Sequence, residues 1–416
     1  MNGNIDDKRM AIIGMGVVSP IGSGTDEYWS HLLNGTYGIR KTEIYDEQVY
    51  SKRLFGEIRD FDHNTFNKEG LNIGRASAFG LEATRQAFEQ AGFLVDSSQD
   101  ANEIGVCVGT ILGDNLTREE TYLKHGGDGA CTEAPFSFSP ISSTSQNIAK
   151  CFHLSGPNST ICTACSSSAY ALSNSCEMIR NGLAPMMVTG GVECFSYIGQ
   201  ANFIQIHALD PELIRPFDKN RMGTLLGEGA GIIIIEPLVQ ALKRGATILA
   251  EVTGIGLSCD AYHESAPEPS GQQLMRAMHQ ALSEASLSPG DIDCICAHGT
   301  GTVYNDSIET KAIKEVFKDH AKKIPITAIK SMLGHSLGAA FVMQIIAAVL
   351  MMKNSTVVPT INYKTQDEEC DLDYTVNAAR KKELKNVMIN SYAFGGNNAS
   401  VIVSQYDGVP SKTNGK

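Results

Sequence analysis

The sequence predicts an α/β protein whose sheets are covered by helices. Three observations predict it. Strand-like and helix-like segments alternate along 416 residues. The run Gly229–Ile235 is apolar without a break, as in a strand buried on both faces. The strand Met10-Ala-Ile-Ile-Gly-Met-Gly-Val-Val-Ser has an echo in Ala250-Glu-Val-Thr-Gly-Ile-Gly-Leu-Ser, with Gly-x-Gly at the same offset, and each opens about half of the chain. At roughly 150 residues per domain the length fits two or three domains, or one large duplicated unit. The echo fits a chance likeness of two glycine-bearing strands or an ancestral duplication of an α/β half. No long linker separates the halves, so they are expected to pack as one body.

The elements follow in order. Met10–Val18 is β-branched and glycine-bearing, hence a buried strand. Ala76–Gln90 has helical character, and Gly92 stops it. Ile104–Gly109 and Met186–Gly191 read as strands entering glycine turns, and Gly229–Ile235 as the central buried strand. Gln272–Ala285 is helical, Ile292–Ala297 a strand, Asp306–Phe317 a helix, Gly338–Met352 a buried helix and Ala399–Ser404 a last strand. Met1–Lys8 and Gly408–Lys416 are polar and expected to fray.

Hydrophobic residues make up 42% and charged residues 19%, which is enough for a buried core and excludes a mostly disordered chain. Thirty-four basic against 46 acidic residues give a net charge of −12, so no nucleic-acid partner is expected. Eleven cysteines read as reduced thiols of a cytoplasmic protein, because a chain this long needs no disulfide staples. No secretory leader is legible. The apolar stretch Phe341–Met352 contains Gln344 and is shorter than the roughly 20 residues that cross a bilayer. A soluble protein without membrane contact is expected.

The segment Ser159-Thr-Ile-Cys-Thr-Ala-Cys-Ser-Ser-Ser-Ala-Tyr-Ala-Leu carries the most chemistry. A short β run meets a row of small residues and then a helix ending before Gly182. Small residues let a strand turn sharply into a helix, which places Cys165 at a helix N-terminus. The dipole and free N–H groups there favour a thiolate and hold a developing oxyanion. That describes a nucleophilic cysteine. Cys162 and Cys165 also form Cys-x-x-Cys, and Cys294 and Cys296 form Cys-x-Cys. Their flanks lack the turn residues of a zinc knuckle, and the strand runs through Cys162, so a metal site or redox dithiol is disfavoured.

His298 follows a buried strand in Ala297-His-Gly-Thr-Gly-Thr, and His335 precedes an apolar helix in Lys330-Ser-Met-Leu-Gly-His-Ser-Leu-Gly-Ala-Ala. Glycine-framed histidines at element ends are held rigidly while their rings stay accessible. A Lys330 ammonium nearby favours neutral imidazoles that donate hydrogen bonds. Asn390-Ser-Tyr-Ala-Phe-Gly-Gly-Asn-Asn places Phe394 before a Gly-Gly turn, which taken alone reads as an ordinary turn and beside the cysteine and histidines as one able to bring a backbone N–H close to a reacting centre. Gly227-Glu-Gly-Ala-Gly lacks the order of a phosphate loop and reads as strand packing.

Together these motifs resemble the β-ketoacyl-(acyl-carrier-protein) synthases, the condensing enzymes of fatty-acid and polyketide synthesis, over about residues 9–405. The resemblance rests on Thr163-Ala-Cys165-Ser, Arg215-Pro-Phe-Asp-Lys, Gly227-Glu-Gly-Ala-Gly, Asp260-Ala-Tyr-His, His298-Gly-Thr-Gly-Thr, Lys330-Ser-x-x-Gly-His335 and Phe394-Gly-Gly-x-Asn. It implies a thiolase-like duplicated five-layer α-β-α-β-α fold. Residues 1–250 would form a half carrying the nucleophile, and 251–416 a half carrying both histidines. Cys165 would take an acyl chain from a carrier-protein thioester, with the N–H groups of Cys165 and Phe394 as oxyanion hole. His298 and His335 would hold the malonyl thioester carbonyl while carbon dioxide leaves. The carbanion would attack the acyl-Cys165 thioester to give a β-ketoacyl product. By the same resemblance Lys330 and Glu309 form a supporting ion pair, Thr300 and Thr302 hold the pantetheine arm, and Phe394 gates the acyl pocket. No metal or cofactor of its own is implied, since substrates arrive on the phosphopantetheine arm of an acyl carrier protein. A homodimer, or a heterodimer with a ketosynthase-like chain-length partner, is expected.

After Gly338-Ala-Ala the family often continues Gly-Ala-x-Glu, where this chain has Phe341-Val-Met-Gln344. Phe66–Ala76 is less basic than the carrier-docking helix of many fatty-acid enzymes, and Gly74-Arg-Ala-Ser-Ala-Phe looks more like ketosynthases of specialised polyketide pathways. Lys68, Arg75, Arg215, Lys219 and Arg221 are the candidate docking cations, with internal salt bridges of Arg215 and Arg221 as the alternative. Competing functions are a malonyl-carrier-protein decarboxylase, a non-catalytic chain-length-determining partner subunit and a degradative thiolase. The presence of Cys165, His298, His335 and Lys330 disfavours them.

Overall fold

The computed structural model describes residues 9–44, 54–66, 73–93, 103–124 and 140–408. The expected docking residue Lys68 and the residues 1–8 and 409–416 lie outside these. The first half of the chain contains β1 (Met10–Ser19), β2 (Gly22–Ser23), α1 (Thr25–Leu33), β3 (Arg40–Lys41), β4 (Leu54–Phe55), α2 (Arg75–Gln90), β5 (Gly105–Gly109), α3 (Asn115–Lys124) and α4 (Ser143–Cys151). It continues with β6 (Asn158–Ile161), α5 (Ser167–Arg180), β7 (Met187–Glu193), α6 (Tyr197–Gln205), β8 (Gly229–Pro237) and α7 (Leu238–Lys243). The second half contains β9 (Ala250–Cys259), α8 (Gln272–Ala285), β10 (Cys294–Cys296), α9 (Val303–Phe317), β11 (Ile326–Thr327) and α10 (Lys330–Leu333). It ends with α11 (Ala340–Lys353), β12 (Thr356–Val357), β13 (Arg380–Lys381), β14 (Asn386–Tyr392) and β15 (Asn397–Ser404).

Strand order makes the two halves alike. From the middle outward one side runs β1, β8, β7, β5, β6 and the other β9, β15, β14, β10, β11. On each side the first two junctions are antiparallel and the next two parallel. β1 and β9 pair only through Met10–Ile12 and Ala250–Val252. Beyond that contact the sides part as two five-stranded blocks.

The core fills the space between and outside the blocks. α5 and α11 lie between them, within a cluster that draws Ile233 and Ile235 from one block and Val401 and Val403 from the other. α2 covers the outer face of the first block with Ile232 and Ile234, and α8 and α9 cover the second. The layering is α-β-α-β-α, the fold class the resemblance implies. Alternate isoleucines of β8 thus bury on opposite faces, which is why its sequence is apolar without a break. α11 is buried at every position from Ala340 to Met352, as a helix with protein on all sides must be.

The echoed glycines have one physical reason. A Cβ on Gly14 or Gly16 would lie 2.2 or 1.9 Å from the carbonyl oxygens of Ala87 and Ala83 on α2. On Gly254 or Gly256 it would lie 2.1 or 1.8 Å from those of Ala281 and Ala277 on α8. Only glycine lets each helix rest on strand backbone. The matching repeats in the polar contacts: Gln90 and Gln86 accept from the N–H of Met15 and Val17, and Glu284 and Gln280 from those of Ile255 and Leu257.

Candidate active site

Cys165 sits in a strained turn between β6 and α5. Ala164 has φ 50°, the left-handed region that costs a non-glycine residue free energy. Serines hold the turn. Ser166 Oγ donates to Thr163 O at 2.9 Å and Asn397 O at 3.0 Å, Ser167 Oγ to Ala164 O at 2.6 Å, and Ser391 Oγ to Cys165 O at 3.1 Å. The row of small residues thus adds side-chain bonds to carbonyls of the turn, of which Thr163 O and Ala164 O also accept from the N–H groups of Ser166 and Ser167. Two of these bonds tie the Cys165 turn to β14 and β15 of the other half.

His298 follows β10, and His335 follows α10. Glu309 on α9 accepts from the N–H of His298 at 2.8 Å and of Gly299 at 2.9 Å. His335 N–H donates to Leu225 O at 2.7 Å, which fixes the second ring from the opposite side. The rings lie 5.5 Å apart and near perpendicular. His335 Nε2 is 3.0 Å from Cys165 Sγ. The Nδ1 atoms of both histidines have no partner among the described residues.

Burial dominates the electrostatics. It pushes the Cys165 thiol up to about 11, against the Lys330 ammonium and the Phe394 and Cys165 N–H groups directed at the sulfur. This corrects the expected helix-lowered thiolate. α5 begins at Ser167 with Ser166 as its N-cap, so Cys165 does lie near the helix N-terminus, but burial outweighs the helix and leaves a neutral thiol beside an imidazole. Burial first and Lys330 second hold both histidines well below the ordinary imidazole range. Burial also brings Lys330 down to about 8.

The expected direct ion pair of Lys330 with Glu309 is not formed among the described residues. Lys330 Nζ donates to His298 O at 2.7 Å and to Gln344 Oε1 at 3.1 Å. The Glu309 carboxylate is taken by backbone N–H groups and acts on the ammonium through space.

Cys165, His298, His335, Thr300, Thr302 and Phe394 all line one cavity of about 300 Å³. The hydroxyls of Thr300 and Thr302 are 2.9 Å apart. The Phe394 ring packs 5.6 Å from Phe203 on α6. The turn after it needs its glycines, since Gly395 and Gly396 have φ 77° and 78°. Gly395 N–H donates to Glu264 O, and Gly396 O accepts from Asp260 N–H. Exposed Ile206, Met222, Val303 and Tyr304 surround the mouth.

The expected docking cations do not form one surface. Arg75 is turned inward, with Nη2 2.5 Å from the buried Glu228 carboxylate and 2.6 Å from Ile58 O. The Arg221 side chain is 2% exposed and is held by Asp367, Asp218 O and Val303 O. Arg215 is half-buried beside Asp210 at 3.4 Å, and Lys219 is exposed. The surface docking role thus fails for Arg75 and Arg221, because burial and ion pairing use up their donors.

The ten cysteines among the described residues are free thiols, and no described group of three metal-ligating side chains could hold an ion. Cys162 is exposed while Cys165 is buried, and Cys294 and Cys296 are buried on β10. No described helix is long and apolar enough to cross a membrane.

Glu193 escaped the sequence reading, and Gln344 entered it only as an interruption of an apolar helix and a departure from the family pattern, without a role. Glu193 closes β7 and accepts from the N–H groups of Ile111, Leu112 and Gly338, the last three residues beyond His335. Gln344 bonds Lys330. A carboxylate two residues after the run Met186–Gly191, and one amide in an otherwise apolar helix, were the available signals.

The chain was compared with known proteins. Residues 7–241 match the family described as Beta-ketoacyl synthase, N-terminal domain, and residues 249–364 Beta-ketoacyl synthase, C-terminal domain. It is 35% identical over 421 residues to 3-oxoacyl-[acyl-carrier-protein] synthase 2 of Coxiella burnetii, covering 96% of this chain and 99% of that protein. It is 36% identical over 414 residues to the protein of the same name from Synechocystis sp., covering 97% and 99%. Among solved structures it resembles the ishigamide ketosynthase/chain length factor with TM-score 0.87 and 35% identity, covering 96% of this chain and 99% of that one. It also resembles a type II PKS acyl-carrier protein in complex with its ketosynthase bound to the hexaketide, with TM-score 0.86 and 31% identity, covering 96% and 99%.

Proposed function

Since the chain belongs to the β-ketoacyl synthase family, we propose that it joins an acyl chain on Cys165 to malonyl-acyl-carrier-protein by decarboxylative Claisen condensation. The product is a β-ketoacyl-acyl-carrier-protein of fatty-acid or polyketide synthesis. The observation that carries this reading is the 3.0 Å contact of His335 Nε2 with the Cys165 sulfur, beside His298 in one cavity.

In the first half-reaction the sulfur attacks the acyl thioester carbonyl carbon. Its proton passes to His335 Nε2 and then to the departing pantetheine thiol. The N–H groups of Cys165 and Phe394 stabilise the oxyanion. In the second, His298 and His335 are neutral and donate N–H groups to the malonyl thioester oxygen, His335 as the tautomer with its proton on Nε2, to which it shifts once Cys165 is acylated and no longer presents a thiol proton. The bond to the carboxylate breaks, carbon dioxide leaves, and its electron pair forms an enolate. The enolate carbon attacks the acyl thioester on Cys165, and the sulfur leaves as thiolate and regains a proton. Loss of carbon dioxide supplies the carbanion without a strong base, which suits imidazoles held neutral by burial.

Thr300 and Thr302 are placed by this reading on the pantetheine arm, and Phe394 at the entrance to the acyl pocket. The substrates are carried by an acyl carrier protein. The outer edge of β6 pairs with no described strand, which supports assembly through that edge with a second copy or a ketosynthase-like partner. Residues 1–250 and 251–416 are read as duplicated halves, each supplying part of the site. A non-catalytic partner subunit has no use for a thiol in contact with an imidazole.

Mass spectrometry after incubation with an acyl carrier thioester tests the reading. An acyl mass added at Cys165 is expected. No adduct under conditions that keep the protein folded overturns it.

A further inference from the structure

Gln344 lies 1% exposed on α11, a helix otherwise apolar from Ala340 to Met352. A buried amide is costly unless its donors and acceptor are used. Here they are. Oε1 accepts from Lys330 Nζ at 3.1 Å, and Nε2 donates to Ala297 O at 2.8 Å and Cys296 O at 3.4 Å. β10 ends at Cys296, so beyond it the chain leaves the sheet ladder. Lys330 Nζ in turn donates to His298 O at 2.7 Å. Three successive carbonyls leading to the His298 ring are therefore held by two side chains that also bond each other. With Glu309 on the His298 N–H, the backbone that aims this ring is fixed on both sides.

Resting on the condensing reading of the site, we propose that Gln344 is a positioning residue, which aims His298 at the malonyl carbonyl and holds Lys330 through a neutral oxygen.

The neutrality has a consequence for pH. Burial lowers the ammonium of Lys330, and the carboxylates of Glu309 and Asp306 face it and raise it again; Cys165 and Cys296 face it as thiols that burial keeps neutral, and His298 and His335 as neutral rings. A carboxylate at position 344 would add a negative charge within hydrogen-bond reach and favour the ammonium. It would also lose the two bonds from Nε2. An apolar residue would lose all three bonds and leave Lys330 with its bond to His298 O.

The test compares Gln344→Met and Gln344→Glu with the wild-type chain in two separate assays, acyl loading of Cys165 and decarboxylation of malonyl-acyl-carrier-protein, from pH 6 to 9.5. For Gln344→Met, loading within about twofold of wild type and decarboxylation kcat down about 10- to 100-fold are expected, with KM unchanged. For Gln344→Glu, the alkaline limb of decarboxylation moves to higher pH, because the ammonium persists longer. A residue that only fills space would not move that limb. Wild-type decarboxylation with unaltered pH limbs in both variants overturns the proposal, and so does equal loss of loading and decarboxylation in both. If Gln344→Met does not fold, the limb of Gln344→Glu alone decides. Failure of the wild-type chain to decarboxylate the malonyl substrate would instead overturn the condensing reading.

Discussion

The two halves of this molecule share a scaffold and differ at its ends. β1 under α2 and β9 under α8 use the same glycine pair, the same helix carbonyls and the same amide or carboxylate contacts. The ends of the equivalent strands β6 and β11 differ: one leads into Cys165 and the other into Lys330 and His335. Past β5 the chain turns on Glu193; past the equivalent β10 it carries His298 and turns on Glu309. A duplicated scaffold thus keeps its strands and covering helices while the segments at the strand ends diverge, although those segments are themselves buried. On the proposed function nucleophilic attack falls to one half and enolate formation to the other, while the structure shows His335 reaching across to the sulfur.

The largest expected effects test that division. Cys165→Ala abolishes condensation and leaves malonyl decarboxylation, since both histidines remain. His298→Ala loses decarboxylation by about 10²- to 10⁴-fold but still loads Cys165 at the wild-type rate. His335→Ala slows both, because the neutral thiol loses its proton acceptor. Rapid-quench measurement of the two half-reactions reads each outcome. Normal loading by His335→Ala would confine that ring to the enolate and sever the link between the halves.

Next in size is the scaffold itself. Gly16→Ala and Gly256→Ala each drive a methyl into a helix carbonyl, and overpacking of this kind costs about 1–3 kcal/mol or more. If the halves are mechanically equivalent, thermal unfolding shows similar losses for the two variants. A large loss in one alone would mean that its helix yields where the other cannot.

Much of this was legible in sequence for a physical reason. Met10–Ser19 and Ala250–Cys259 betray themselves because the helix above leaves no room for a side chain, so glycine recurs at a fixed offset. Cys165 is legible because a sharp turn needs small residues. α6 escaped notice because Tyr-Ile-Gly-Gln-Ala-Asn-Phe-Ile-Gln contains a glycine and shows little segregation of apolar residues. The state of the Cys165 thiol was misread, since burial depends on residues far along the chain. Arg75 and Arg221 looked like surface cations for the same reason: their partners Glu228 and Asp367 lie 153 and 146 residues away.

A subtler comparison concerns the two loop-holding carboxylates. Burial pushes both Glu193 and Glu309 up to about 7, from an ordinary 4.5. A carboxyl raised on folding contributes stability that is fully present below the unfolded value and lost as pH rises through the folded one. Stability should therefore fall between about pH 4.5 and 7, by roughly 1.4 kcal/mol per pH unit for each group. Urea unfolding across that window should give a shallower slope for Glu193→Gln and for Glu309→Gln, even though each loses some stability overall. A slope altered by only one variant would mean that the other carboxylate is held as an anion by its backbone donors.

The smallest expected effect lies around the cavity mouth, where the proposed function has the carrier protein dock. The first half offers the exposed Lys219 and the half-buried Arg215, close in sequence to the mouth residue Met222, and the second half offers Val303 and Tyr304 at the mouth itself. The chain carries −12, so net charge does not attract an acidic carrier, and docking must use local contacts. Arg215 already faces Asp210, which screens it, so Lys219 is the stronger of the two cations. Exposed charges contribute about 0–1 kcal/mol each, a change in KM of at most about fivefold. Lys219→Glu should raise KM for the carrier-bound substrate by about two- to fivefold at low salt, leave kcat unchanged, and lose that difference as salt screens the contact. Tyr304→Ala removes apolar contact instead, so its effect on KM should persist at high salt. If Lys219→Glu changes nothing at low ionic strength while Tyr304→Ala does, the carrier protein leans on the second half alone. The half that performs the decarboxylation would then also choose the substrate's carrier.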